Sequence, residues 1–257
     1  MLYYEQMIIV FLPLSNLMNT AFAQPPSFFV STFPSRPQPF YTIDLSVPTA
    51  PKVVGELEIP GFSNYIHPTE DENVLIAVGE NADDRGRNLG VQISLFGVAN
   101  FAEPELLARY DVENKEDQYS YTDVAWDHHA FRYLRQSKQV ILPAEVHGYH
   151  RDNSFDGFYI LDIDKDNSNK EQRITLRHRV NLAPDKEDMW SYCYSSARLA
   201  PRSMVFSGDA LLMKNHAVES HRLDQPANLN TFLWRLEMEE PVPESESDKR
   251  RGCSYWW

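Results

Sequence analysis

The sequence predicts an all-β fold, and three observations carry that prediction. Short runs in which apolar and polar residues alternate recur along the chain, the pattern of half-buried strands. Apolar spacing at three to four residues, the mark of an amphipathic helix, is hard to find. Seventeen prolines against ten glycines, with 12% aromatics, favour short strands joined by many turns. A chain of 257 residues that is 42% hydrophobic has material for a core, since that size buries roughly three quarters of its unfolded surface.

Residues 1–23 stand apart from the rest of the chain. Met7 to Leu14 is an apolar run, and Ala21-Phe22-Ala23 before Gln24 has the small-x-small pattern of a signal-peptidase site. The segment before the run has no Lys or Arg, and Glu5 is its only charge. It therefore reads either as a cleaved signal, placing the protein outside the cell or in the envelope, or as an unrelated lead on a cytoplasmic chain. The strands expected next are Phe40 to Leu45, Val53 to Ile59, Val74 to Val78, Val91 to Val98 and Leu106 to Val112. After them come Val140 to Val146, Phe158 to Ile163, Ile174 to Val180 and Phe232 to Leu236. Residues 237–257 carry an acidic run, a basic run and no periodic apolar face, the composition of a solvated tail. Cys193 and Cys253 are compatible with one disulfide in an oxidising compartment or with two free thiols.

The strand runs repeat. Asp44 to Gly97 and Pro51 to Pro104 share an offset of 53 residues, and Asp162 and Arg222 fall in the same slot further on. Repeats of this length with about four strands each are what β-propeller blades require. A single twisted sheet cannot bury both faces, so blades stack. The Asp44-Leu45-Ser46 segment reads as the turn between third and fourth strands, because Asp and Ser cap their own turns.

The stretch Gly55-Glu56-Leu57-Glu58-Ile59-Pro60-Gly61-Phe62-Ser63-Asn64-Tyr65-Ile66-His67-Pro68 resembles the hallmark of the secreted C-terminal β-propeller family of bacteria and archaea, distant relatives of WD-repeat proteins. Ile43-Asp44-Leu45-Ser46, Gly90 to Phe96, Tyr121 through Asp127-His128-His129-Ala130-Phe131, and Gly208-Asp209-Ala210-Leu211 match in the same order. The resemblance covers residues 28–236, with Gly97 in place of a turn aspartate and Phe101 in place of a turn proline. It implies a propeller and no catalytic activity.

Laid on the repeats, units span about residues 60–112, 119–180 and, more weakly, 190–236, behind the later part of another from Ser27 to Ile59. That is about three and a half four-stranded blades over residues 27–236, short of the four to eight of closed propellers. The chain then reads as a truncated member or as one that closes on another chain through its open blade edges.

Six residues are candidates for binding: His67, Asp83, Asp84, Asp127, His128 and His129. Asp127-His128-His129 offers imidazole and carboxylate together, which suits a divalent metal, proton transfer or a hydrogen-bond network between blades. His67 at a strand end invites the same readings, and a shared site follows if His67 and His128 reach one pore mouth. Asp83 and Asp84 lie in a charged loop, where propellers place contacts. Glu145-Val146-His147-Gly148-Tyr149-His150 lacks zinc-protease spacing and reads as a polar loop. Asp162-Ile163-Asp164-Lys165-Asp166 resembles the start of a calcium loop, but Asn167 stands where glycine is needed and Arg173 where a bidentate Glu is needed.

A net charge of −13 argues against nucleic acid as a partner, and no apolar stretch of about 18 residues suggests a spanning helix. Nucleophile elbows and glycine-rich phosphate loops are missing. The reading is a binding module for a protein or glycan, with no cofactor beyond a divalent cation. The alternative is a metal-dependent hydrolase or lyase built on Asp127, His128 and His67 at the pore.

Overall fold

The computed structural model describes residues 8–11, 27–31, 39–83, 87–112, 118–148, 154–182, 199–215, 217–224 and 233–237. Asp84, His150 and both cysteines lie outside these residues, as does the chain after Glu237. Four antiparallel sheets succeed one another along the chain. The first holds β1 (Ile8–Phe11), β2 (Ser27–Ser31), β3 (Phe40–Asp44) and β4 (Lys52–Leu57). The second holds β5 (Phe62–Pro68), β6 (Val74–Ala82), β7 (Asn88–Gly97) and β8 (Glu105–Asp111). The third holds β9 (Gln118–Tyr121), β10 (Arg132–Leu134), β11 (Gln139–Gly148), β12 (Phe155–Ile163) and β13 (Ile174–Asn181). The fourth holds β14 (Leu199–Phe206), β15 (Asp209–Asn215), β16 (Ala217–Arg222) and β17 (Trp234–Glu237).

The all-β expectation holds: among the described residues the helical elements are one-turn 3₁₀ helices, and no helix is long and apolar enough to cross a membrane. The second, third and fourth sheets coincide with the three repeat units, and β2 to β4 with the part-unit in front. Ile8–Phe11, inside the run read as a signal, pairs antiparallel with Phe28–Ser31 and gives the first sheet a fourth strand.

Burial explains why the middle strands are the most legible. β6, β7 and β12 are covered on both faces and read as almost continuous apolar runs. Outer strands such as β13 alternate buried and exposed positions. Among the described residues, three buried clusters lie between successive sheets. Phe40, Ile66, Leu75 and Phe96 join the first to the second. Ile93, Val124, Leu142 and Tyr159 join the second to the third, and Ile141, Phe158, Ala210 and Leu212 join the third to the fourth. Close approach is demanding at Gly157, where an added Cβ would overlap the Val180 carbonyl. The Asp44 turn forms as its sequence implies, with the Ser46 N–H donating to Asp44 Oδ1 at 2.7 Å.

Candidate functional site

The inner strand of the third sheet is cut in two. β9 pairs with the far end of β11, and β10 with its near end, so residues 122–131 leave the sheet and return to it. Thr122 starts the excursion: its hydroxyl donates to the Pro143 carbonyl at 2.6 Å and accepts from the Val124 N–H. That starts a 3₁₀ turn at Asp123–Ala125, and Asp127 caps a second at His128–Ala130 by accepting the His129 N–H at 3.0 Å. Val124, Ala130 and Phe131 are buried between the second and third sheets. The first turn packs on β5 and β6, the second on β14. First strands of three sheets therefore converge on this insertion.

Its inward carboxylates are paired with the fourth sheet. Asp127 Oδ2 lies 2.7 Å from an Arg202 guanidinium nitrogen, and Asp127 Oδ1 lies 3.0 Å from His129 Nδ1. Burial opposes ionisation of Asp127, yet the hydrogen bonds from His129 and Arg202 outweigh it and hold the carboxyl below its ordinary range. Asp123 joins a deeper group. Lys214 of β15, with only 2% of its side chain exposed, has its ammonium 2.7 Å from Asp156 Oδ1, 3.0 Å from Glu145 Oε1 and 3.5 Å from Asp123 Oδ2. Glu145 and Asp156 are direct cross-strand partners on β11 and β12, and Tyr121 stands opposite Glu145 on the other side. The Tyr121 hydroxyl donates to Glu145, whose other neighbour, the His147 ring, stacks on Tyr121. Burial disfavours charge on Lys214, but Asp156, Glu145 and Asp123 together raise its pKa. The amine is thus protonated and cannot serve as a nucleophile. Sequence reasoning missed this group. Its signal was periodicity, because Lys214 shares the face of Ala210 and Leu212.

His67 and His128 both contact Tyr65. The Tyr65 hydroxyl and His67 Nδ1 share a hydrogen bond of 2.9 Å, and the His128 ring stacks on Tyr65 with centroids 6.3 Å apart. Phe131 and Tyr133 complete the cluster around His67. Burial, aided by Arg135, pushes His67 down to about 4 and keeps it neutral. Asp83 is elsewhere: β5 and β6 pair from Phe62↔Glu80 to Pro68↔Leu75, so its turn lies at the end of the second sheet away from His67. Its carboxylate takes the Arg87 Nε at 2.6 Å. Asp162 of the calcium-like segment takes the Arg177 Nε at 2.7 Å.

The outward side of the insertion differs from the inward side. Trp126 is 83% exposed, and His128 and His129 are exposed beside it. Asp127, His128 and His129 present ligand atoms within 4.8 Å of one another. A separate cleft of about 660 Å³, with no residue of the insertion in its lining, opens between the third and fourth sheets among Tyr133, Arg135, Gln139, Arg177, Val205 and Asp224.

A family model described as Beta propeller domain matches residues 22–225. An uncharacterized protein of Archaeoglobus fulgidus is 38% identical over 121 residues, which are 47% of this chain and 17% of that protein. An uncharacterized protein of Methanocaldococcus jannaschii is 36% identical over 116 residues, 43% of this chain and 16% of that one. The chain thus matches under a fifth of the length of these two relatives. Among solved structures, Sqt1 of Chaetomium thermophilum is similar at 9% identity and a TM-score of 0.34, covering 88% of this chain and 60% of that one.

Proposed function

Because this chain belongs to the Beta propeller domain family, we propose that it works as a binding module whose contact surface is the outward side of the 122–131 insertion. One observation carries the reading: the insertion's inward acids are paired with Lys214 and Arg202, whereas Trp126 stands 83% exposed between them in sequence. An indole carried on a braced loop offers a large contact face on a side chain with few rotatable bonds. With His128 and His129 beside it, the surface suits a glycan, whose apolar ring face stacks on the indole while its hydroxyls meet the imidazoles. A protein ligand would use the same anchor. Labelled full-length chain on a glycan array, with pull-down and mass spectrometry for protein ligands, tests this. Trp126→Ala should weaken whatever the wild type retains at least about tenfold. Equal retention by the variant, or no retained ligand, removes the reading.

Export is the second part of the proposal and rests on the Met7 to Leu14 run before Ala21-Phe22-Ala23. Cleavage there would take β1 out of the first sheet, so N-terminal sequencing of the mature protein reads location and sheet composition together. A first residue of Met1 in the mature chain would favour the cytoplasm.

A further inference from the structure

We propose that Asp127, His128 and His129 bind one first-row divalent transition-metal ion of the zinc type, independently of the glycan or protein reading above. Two imidazoles and one carboxylate form the donor set that suits zinc and its neighbours rather than calcium or magnesium. In a tetrahedral site with metal–ligand bonds of about 2.0–2.2 Å, ligand atoms on one ion lie about 3.3–3.6 Å apart. The three groups here offer atoms within 4.8 Å of one another, so binding draws them together by roughly 1.2–1.5 Å, through rotation of two exposed rings whose centroids are 4.0 Å apart.

The carboxylate is already held for the task. Oδ2 lies 2.7 Å from Arg202, and Oδ1 accepts the His129 N–H at 3.0 Å. The same Oδ1 also shares a hydrogen bond of 3.0 Å with His129 Nδ1, so an ion seated between them takes the place of the proton they share. A carboxylate that ligates a metal is usually held in turn by a hydrogen-bond donor behind it, and Arg202 fills that place from a different sheet. On the other flank, Tyr65 stacks on His128 and limits its ring orientation. Three protein donors on an exposed loop leave at least one coordination position facing solvent, open to water or to an anionic group of a ligand.

The test uses the full chain carrying Cys193→Ser and Cys253→Ser, so that thiols do not contribute. Zinc uptake is followed by calorimetry and cobalt uptake by its visible spectrum. The background protein should take up one equivalent of zinc, and cobalt should give the absorption of a low-coordinate site with nitrogen donors. His128→Ala and His129→Ala should each lower affinity at least about tenfold, and the double variant should lose the cobalt band. Both rings are exposed, so the circular dichroism of these variants should match the parent. No zinc uptake by the background protein, or unchanged uptake by the double variant, overturns the proposal.

Discussion

Replacing Lys214 with methionine tests the joint between the third and fourth sheets. Methionine keeps most of the stem's volume and removes the charge, so packing changes little while three carboxylates lose their shared cation. Removing one partner of a buried ion pair costs about 3–5 kcal/mol. Two of the acids, Glu145 and Asp156, have side chains only 6% and 10% exposed and argue for the upper part of that range, while Asp123 at 33% can partly hydrate. The expected loss at pH 7 is about 4 kcal/mol, which at a urea slope of about 2 kcal/mol per molar moves the midpoint down by roughly 2 M. The loss should depend on pH. Burial opposes ionisation of Glu145, but His147, Lys214 and Tyr121 outweigh it and hold the carboxyl down to about 2. A depressed carboxylate contributes stability above its unfolded range near 4.5 and gives it up as pH falls toward 2. In wild type this contribution therefore survives from pH 7 to about pH 4.5. In Lys214→Met the acids repel one another and take up protons earlier, so the gap between the two proteins should narrow between pH 7 and pH 4. Urea titrations at both pH values decide. A midpoint shift below about 0.5 M at pH 7, or an equal shift at pH 4, refutes the reasoning.

Two further outcomes are expected. His67 should titrate with an NMR midpoint near 4, not 6.5, because its folded form resists the charge. An imidazole depressed in the fold contributes stability above its unfolded value that is lost as pH falls toward 4, so His67→Gln should flatten stability between pH 6.5 and 4; a midpoint near 6.5 would sink this. Gly157→Ala should lower stability by about 2–3 kcal/mol and Tm by roughly 5–10 °C in a thermal melt, since its Cβ would overlap the Val180 carbonyl on the paired strand β13. A melt within about 2 °C of wild type would show that β13 yields freely.

What the sequence disclosed tracked burial on two faces. Val74 to Val78, Val91 to Val98 and Val140 to Val146 each mark a middle strand, because a strand covered on both sides is mostly apolar, with Gln92, Ser94 and Glu145 as its buried polar positions. First strands were harder to see. β9, β10 and β14 carry residues such as Tyr121, Arg132 and Arg202 that reach across to neighbouring elements, so their pattern is mixed. At the site, Asp127-His128-His129 stood out as adjacent polar residues, and the structure keeps them together. Lys214 did not stand out, because its acids are distant in sequence and come from β11, β12 and the insertion. Pairing of that kind is fixed by stacking of sheets, which no local pattern encodes. Asp83 and His67 were both binding candidates in the sequence, and the register of β5 against β6 puts them at opposite ends of the second sheet.

The Glu145↔Asp156 pairing also bears on assembly. These strands are made well before Lys214, which comes 69 residues after Glu145. As the chain emerges, two acids face each other across a hairpin with their neutralising ammonium not yet synthesised, and like charges so placed destabilise the hairpin. Docking of β15 therefore removes a like-charge penalty that the third sheet carries on its own. Repeat proteins are often treated as independent units plus neighbour terms; here one unit lacks a charge that its successor supplies. The two sheets should consequently melt as a single cooperative block, with the boundary of that block set by one lysine rather than by the repeat length.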